Sequence, residues 1–509
     1  MNQSTGKVYL IGAGPGDPGL ITVKGLDCIR NADVVIYDYL AAPSLLASAS
    51  AHAEIIYVGK KGADHTLSQD KINALIVEKA RAGSTVARLK GGDPFIFGRG
   101  GEEAEVLLHE GIPFEIVPGV TSAIAAPAYA GIPLTHRSFT STLALVTGHE
   151  DPAKNESSIN WQALASGMGT IVFLMGVKNL SHIVHHLTLH GKPSSTPIAL
   201  IQWGTTYRQR TVTGTLDTIV TRVAEAGLSS PAIIVVGEVV TLRDRLKWFE
   251  NRPLFGKTII VTRAREQASD LVSALSGLGA NCLEFPTIQV EPSENTGALD
   301  AAIDQMASYD WIVFTSVNGV RFFFERLFAK GRDARALGHL HTAAIGPATA
   351  QQLKQYGLCS DIVPETYRAE SIVDAFKSEN ISGKKILLPR AREARTVLPD
   401  ELVRMGAVVD DIAVYHTRSV RDHADRLVAL FENREVDLVT FTSSSTVKNF
   451  VSLLPEGKIA GLLQHVTLAS IGPVTTETAA SLGLDVQITA RTFTIPGLCD
   501  AVLEYFGRK

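Results

Sequence analysis

Short apolar, β-branched runs recur along the chain, and segments with helix-spaced apolar positions separate them. Lys7–Ile11, Asp33–Tyr37, Thr85–Leu89, Thr142–Val146, Thr170–Leu174 and Pro231–Val236 have the composition of strands. Strand and helix alternate throughout, which predicts an α/β protein with largely parallel sheets. The pattern breaks once, at Trp248–Gly256, and a new strand, Lys257–Val261, follows directly. The expected domains are therefore 1–250 and 251–509, joined by a linker short enough to keep them close.

The second half repeats itself. Val261-Thr-Arg-Ala-Arg-Glu266 matches Leu388-Pro-Arg-Ala-Arg-Glu393, and Phe314-Thr-Ser-Val-Asn-Gly-Val320 matches Phe441-Thr-Ser-Ser-Ser-Thr-Val447. Ile345-Gly-Pro-Ala-Thr349 matches Ile471-Gly-Pro-Val-Thr475, so the offset stays at 126–127 residues. Each unit reads strand, Gly or Ser turn, helix. This predicts two similar α/β lobes with a ligand cleft between them.

Composition narrows the function classes. A 509-residue chain with 45% hydrophobic and 20% charged residues is globular and large enough for more than one domain. A net charge of −4 gives no electrostatic footprint for nucleic acid. No apolar run approaches the ~18 residues of a membrane span, and Met1–Lys7 is no signal peptide, so the expected location is cytoplasmic. Cys28, Cys282, Cys359 and Cys499 are too dispersed for a CxxC metal knuckle and suit reduced thiols. His182, His186 and His190 share a helix face, but no carboxylate or cysteine accompanies them, and a solvated face is the expectation; no metal is expected.

The densest chemical signal is Arg88-Leu-Lys-Gly-Gly-Asp-Pro-Phe-Ile-Phe-Gly-Arg-Gly-Gly-Glu-Glu103. Gly91 and Gly92 let backbone approach a ligand closely after a strand. Asp93-Pro94 stops the strand. Gly98, Gly100 and Gly101 form a second pliable turn, and Glu102-Glu103 suit the start of a helix. The pattern describes either a ligand-clamping loop around Phe95, Ile96 and Phe97 or a glycine-rich surface turn. Gly12-Ala-Gly-Pro-Gly16 also follows a strand. A dinucleotide site is disfavoured there: Asp17 stands where the fingerprint needs Gly or Ala, and Pro15 lacks an N–H.

The Arg88–Glu103 stretch resembles the signature of the tetrapyrrole methylases, and within them of the uroporphyrinogen-III C-methyltransferases. Val8–Pro18, Tyr37-Asp38, Tyr57–Lys60, Val117–Ser122, Ala130–Arg137 and Thr147–His149 follow in that family's order, over about residues 5–250. The resemblance implies a two-lobed α/β methylase fold, with S-adenosyl-L-methionine (SAM) as methyl donor. It places Pro15, Gly91, Gly92, Asp93, Ile96, Thr121, Ser122, Met175, Gly204 and Ala232 at the cofactor. It makes Asp38 the base that removes a proton after methyl transfer, and Lys60 a proton donor or substrate anchor. From the residues alone, Asp38 reads equally as a helix N-cap and Lys60 as a solvated loop charge. The substrate is a polycarboxylate, so Arg88, Lys90, Arg99, Lys61 and Arg137 are candidate grips, each otherwise a surface charge. Tyr39 departs from the family, which usually carries arginine after the aspartate. Related methylases are dimers, so a homodimer through this half is expected.

The second half resembles the uroporphyrinogen-III synthases, over about residues 255–509. There the chain starts one lobe, builds the other and returns, which implies lobes of about 257–285 plus 418–509, and 286–417. The resemblance implies cyclisation of hydroxymethylbilane with inversion of ring D and loss of water, without a cofactor. Holding the folded substrate is then the main task. Ser316, Asn318, Ser443, Ser444, Thr349 and Thr475 sit on turns suited to carboxylate binding or to capping. Tyr415 would assist departure of the hydroxyl or pack in the core, and Arg263 and Arg390 would grip carboxylates. The joint reading is a bifunctional enzyme that makes uroporphyrinogen III and methylates it twice to precorrin-2, on the route to siroheme or cobalamin. The alternatives are a methylase of a later corrinoid precursor, and a methylase joined to a non-catalytic bilobal binding module. No dehydrogenase–chelatase segment precedes Val8, so oxidation and metal insertion are expected of another protein.

Overall fold

Among the described residues, the apolar runs of the first half form ten strands in two sheets. The computed structural model describes residues 5–59, 67–149, 158–262, 265–285, 288–364, 369–419 and 424–507. Lys60, Lys61 and Arg263 lie outside the described residues. The chain divides into two units, Met1–Lys257 with Leu275–Asn281, and Thr258–Ala274 with Cys282–Lys509.

In the first unit, β1 (Val8–Gly12), β2 (Val34–Tyr37), β3 (Glu54–Tyr57), β4 (Val86–Lys90) and β5 (Phe114–Val117) form one sheet in the order β3-β2-β4-β1-β5. Every pairing is parallel. Such a sheet must be covered on both faces, and it is. Leu10, Ile36 and Val86 pack on one side with Ile76 and Leu107, while Ile11, Val35 and Leu89 pack on the other with Ile29 and Leu45.

The second sheet holds β6 (Leu143–Thr147), β7 (Thr170–Leu174), β8 (Pro197–Gln202), β9 (Arg210–Thr215) and β10 (Ala232–Val236), in the order β6-β7-β10-β8-β9. Here the expectation of parallel pairing fails. Only β6 and β7 run parallel, and β10 lies antiparallel to both β7 and β8, as β9 does to β8. Buried apolar runs look alike in either direction, so periodicity does not report strand polarity. The short connection 203–209 between β8 and β9 is the feature that allows an antiparallel return.

The second unit carries β11 (Thr258–Val261), β12 (Asn281–Glu284), β13 (Ile288–Pro292), β14 (Trp311–Phe314), β15 (His341–Ala344), β16 (Lys385–Ala391), β17 (Val408–Ser419), β18 (Leu438–Phe441), β19 (Thr467–Ser470) and β20 (Ile488–Thr489). One sheet runs β12-β11-β18-β19-β20 and the other β13-β17-β16-β14-β15. The chain thus enters one sheet, builds the other completely and returns. The sequence repeat becomes a structural one. After β14, Ser316 caps the helix Val317–Ala329 by accepting the Gly319 N–H at 2.9 Å. After β18, Ser443 caps the helix Ser444–Ser452 in a reciprocal capping box with Thr446. Gly-Pro turns likewise open the helices Pro347–Gln355 and Pro473–Ser481, with proline in the first helical turn. Among the described residues no helix is long and apolar enough to cross a membrane.

Candidate functional site

In a parallel sheet ligands gather beyond the carboxyl ends of the strands. In the first sheet that edge carries the Gly12–Asp17 loop after β1, Asp38 after β2, Gly91–Arg99 after β4 and Thr121-Ser122 beyond β5. In the second sheet the same logic needs strand polarity. Met175 follows β7 and Gly204 follows β8. Ala232 begins β10, which runs the opposite way, so its first residue pairs with Gln202 at the end of β8. Met175, Gly204 and Ala232 therefore share one edge.

The two edges meet within this unit. A groove of about 680 Å³ is lined by Pro94, Phe95, Phe97 and Arg99 from one and by Thr147, His149 and Met175 from the other. Asp17 donates its N–H to Thr205 Oγ1 at 3.1 Å. At Gly204 an added Cβ would lie 2.4 Å from Ala126 Cβ, so only glycine lets this loop rest on the helix Ser122–Tyr129.

Backbone crossings explain the glycines. Gly14 and Gly92 exchange two hydrogen bonds, 3.2 and 2.7 Å. A Cβ at Gly119 would lie 2.4 Å from the Gly92 oxygen and 2.6 Å from Gly12 Cα, so three loops touch through bare backbone. Gly92 has φ +72°, and the space beside its Cβ position opens toward Thr121 and Ser122, whose nearest atoms are 3.6 Å away. A Gly92→Arg side chain would be strained at this φ and would fill that space. We expect it to weaken SAM binding at least ~100-fold, read by calorimetric titration, with an affinity loss under ~10-fold counting against this placement.

Asp93 ties two loops of the site together. Its Oδ1 accepts the Phe95 N–H at 2.8 Å and its Oδ2 the Gly119 N–H at 2.9 Å, which fixes the loops after β4 and β5 to each other. Thr121 is the N-cap of the helix Ser122–Tyr129, and Pro15 stands between Gly14 and Gly16, both at positive φ.

Strain marks the same place. Six described non-glycine residues have positive φ, and all but Arg434 lie on these loops: Phe97, Arg99, Met175, Trp203 and Thr205. Each costs about 1–3 kcal/mol and persists only where the surroundings enforce it. Around them the surface is apolar and open. Tyr39, Leu40, Phe95, Phe97 and Met175 are each exposed by 42–56%. Tyr39 sets its ring edge-on to Trp203, 6.0 Å between centroids, so it links the loops after β2 and β8.

Asp38 follows β2 on the same sheet edge, with its side chain 28% exposed. Its Oδ1 accepts the Leu40 N–H at 3.1 Å, and its Oδ2 lies 3.7 Å from Arg88 Nη2. The helix N-cap alternative is corrected: the nearest helical segment, Pro43–Ser48, has Ala42 as its cap.

Arg88 and Lys90 are neither substrate grips nor surface charges. They project from β4 into the protein, 3% and 4% exposed. Glu103, from the helix Gly100–His109, reaches between them. Its Oε1 accepts from Lys90 Nζ at 2.7 Å, from Gln69 Nε2 at 3.1 Å and from Arg88 Nε at 3.4 Å. Its Oε2 is buried without a hydrogen bond. Burial, and then the adjacent Arg88, push the Lys90 amine below its ordinary value, while Glu103 pulls the other way. Arg99 is exposed and paired with Glu102, and Arg137 is exposed. Composition alone gave no sign that Glu103 is buried. Its spacing from Arg88 across the glycine loop was the only available signal.

The three histidines follow one another along the helix Leu180–Leu189 and its C-cap: His182 and His186 lie against Trp161, and His186 stacks on His190. Burial lowers the His186 pKa. Among the described residues no group of three His, Cys, Asp or Glu is arranged to hold a metal.

In the second unit, Tyr415 on β17 is 8% exposed, stacks on Phe322 and shares a 3.0 Å hydrogen bond with Ser316 Oγ. Burial raises its phenol pKa, so it stays protonated. Thr349 and Thr475 are buried in their helices. Arg390 is not a free grip. It is 5% exposed, pairs through two nitrogens with Asp411, and donates to the Arg395 carbonyl.

Comparison with known proteins follows the same division. The family described as tetrapyrrole (corrin/porphyrin) methylases matches residues 7–220, and uroporphyrinogen-III synthase HemD matches residues 269–500. A porphyrin biosynthesis protein HemD of Ruminiclostridium josui is 39% identical over 99% of this chain and 98% of its own. A uroporphyrinogen-III C-methyltransferase of Priestia megaterium is 57% identical over 46% of this chain and 98% of its own. A SAM-dependent uroporphyrinogen III methyltransferase of Methanosarcina barkeri is 54% identical over 48% of this chain and 96% of its own.

Proposed function

The chain belongs to the tetrapyrrole methylase family through its first half and to the uroporphyrinogen-III synthase family through its second, and from that premise we propose a bifunctional enzyme of tetrapyrrole biosynthesis. The second half, 251–509, cyclises hydroxymethylbilane to uroporphyrinogen III with inversion of ring D. The first half, 1–250, methylates that product twice to precorrin-2, with SAM as donor. The observation that carries the methylase reading is the groove in which the Pro94–Glu102 segment meets Thr147, His149 and Met175, on the sheet edges that also carry the glycine-tied and strained loops.

The residues suit SAM. Space opens beside Gly92, the first N–H groups of the helix Ser122–Tyr129 are nearby, and Ile96 and Met175 offer exposed apolar surface. The bound donor supplies an electrophilic methyl group. The chain's own part is orientation and proton removal. Phe95, Phe97 and Tyr39 give a broad apolar rest for a tetrapyrrole, and alignment of reacting atoms is worth several kcal/mol of barrier, up to ~10. Asp38 takes the proton released from the methylated ring, at the oxygen that faces Arg88. Lys60 serves as proton donor or substrate anchor. In the synthase half the protonated Tyr415 hydroxyl, oriented by Ser316, donates to the departing hydroxyl, and the capped turns at Ser316, Asn318, Ser443 and Ser444 receive carboxylates. A homodimer through the methylase half completes the proposal, as does a cytoplasmic location, which suits four free thiols.

The test supplies pure protein with hydroxymethylbilane and SAM under anaerobic conditions. The expected product carries two added methyl groups by mass spectrometry, with two S-adenosylhomocysteines released. Unmethylated type III product would overturn the methylase assignment. Type I product would overturn the synthase assignment in favour of a binding module.

A further inference from the structure

The segment that ends the first half is wired into the loops of the groove. Arg243–Leu246 forms a short helix, and 247–252 returns across the helix Ser122–Tyr129. Trp248 Nε1 donates to the Ala128 carbonyl at 3.0 Å, and the Tyr129 ring lies 5.1 and 4.7 Å from those of Trp248 and Phe249. The Tyr129 hydroxyl then donates to Asp17 Oδ2 at 2.7 Å, two residues beyond Pro15.

A second path starts at Glu250. Its Oε2 pairs with Arg243, which also donates to the Ala130 carbonyl at 2.5 Å. Its Oε1 accepts from Gln209 Nε2 at 2.8 Å and Thr211 Oγ1 at 2.7 Å. Gln209 turns its own oxygen to the Thr205 N–H at 2.9 Å, and Thr205 Oγ1 receives the Asp17 N–H at 3.1 Å. Gln209 and Thr205 are each 3% exposed. Thr205 has φ +70°, a conformation a β-branched residue does not hold unaided. Glu250, its side chain 17% exposed, is thus the anchor of a chain of hydrogen bonds that forces Thr205, and with it Gly204, into place.

We infer that Glu250 is a positioning residue for cofactor binding, acting on the 203–206 loop through Gln209 and Thr205. The inference rests on the reading of Gly204 as part of the SAM site. It is independent of the residue 7–220 match, which stops thirty residues short of Glu250. A partly buried glutamate between an arginine and an amide also has a purely structural use, so the test must separate the two.

The full-length protein is compared with Glu250→Ala, Glu250→Gln and Leu228→Ala. Leu228 is 8% exposed in the apolar core of the second sheet and is not a member of this chain of hydrogen bonds, so it reports general destabilisation. For Glu250→Ala we expect KM for SAM and the calorimetric Kd for S-adenosylhomocysteine to rise ~10-fold or more. Its KM for the tetrapyrrole and its kcat should stay within about twofold. Glu250→Gln retains a carbonyl acceptor for Gln209 and should recover most of the affinity. Leu228→Ala should lower the melting temperature without moving KM for SAM. Unchanged Kd in Glu250→Ala would overturn the inference, as would an equal loss in Leu228→Ala. If wild-type protein binds no S-adenosylhomocysteine, the cofactor reading itself falls, and that outcome is visible before any variant is made.

Discussion

Asp38→Asn is expected to slow methylation by about 10²–10⁴-fold while SAM binds with unchanged affinity. The substitution is close to isosteric. Asparagine keeps an oxygen for the Leu40 N–H, so the turn after β2 survives. What disappears is the negative charge beside Arg88 and the capacity to accept a proton. Loss of a base appears in the chemical step, whereas loss of a cofactor contact appears in binding. Single-turnover rates set beside calorimetric titration separate them. Parallel losses in rate and SAM affinity would mean that Asp38 shapes the cofactor site instead.

The strands were legible because both sheets of the first unit are buried on both faces. Continuous apolar runs such as Val34–Tyr37 and Ala232–Val236 then stand out within about a residue of their true limits. The direction of β10 was not legible, because the residues inside a buried strand are indifferent to polarity. That mattered for function: only its reversed direction brings Ala232 to the edge that holds Met175 and Gly204. The glycine loops were legible because bare backbone is a strong requirement, as at Gly119 against Gly12 and Gly92. Charged residues were misread for a matching reason. Arg88, Lys90 and Arg390 each have a carboxylate partner 13 to 21 residues away in sequence, and pairing at that distance leaves no periodic trace. Asp17 entered the sequence argument only as a break in a dinucleotide fingerprint. In the fold it caps the turn at Gly19 and anchors Tyr129. Strain at Trp203 and Thr205 had no signal at all, since neither residue type favours positive φ.

Glu103→Gln is expected to destabilise the first unit by about 3–5 kcal/mol at neutral pH, and to leave a pH signature that ordinary packing loss does not produce. Glu103 is the buried counter-charge for both Lys90 and Arg88. Glutamine keeps the shape and one acceptor but leaves two cations side by side on β4, with the partly exposed Asp38 as the remaining carboxylate near Arg88. Arginine does not release its proton in this range, so Lys90 must respond. In the wild type its amine already binds a proton less tightly than an ordinary lysine, whose pKa is 10.5, because burial and Arg88 outweigh Glu103. Between the lowered folded value and 10.5 the unfolded chain carries the more protons. Stability from this group therefore rises with pH across that window. Removing Glu103 removes the main group that supports the charged amine, which lowers the folded value further and widens the window. Chemical denaturation of both proteins between pH 7 and 10 measures this directly. The variant should regain part of its lost stability as pH rises, with a steeper slope than wild type, and adding Lys90→Met should flatten that slope. Parallel pH profiles would mean that Glu103 does not carry the charge balance of the β4 pair, and that the effect of the substitution is one of packing.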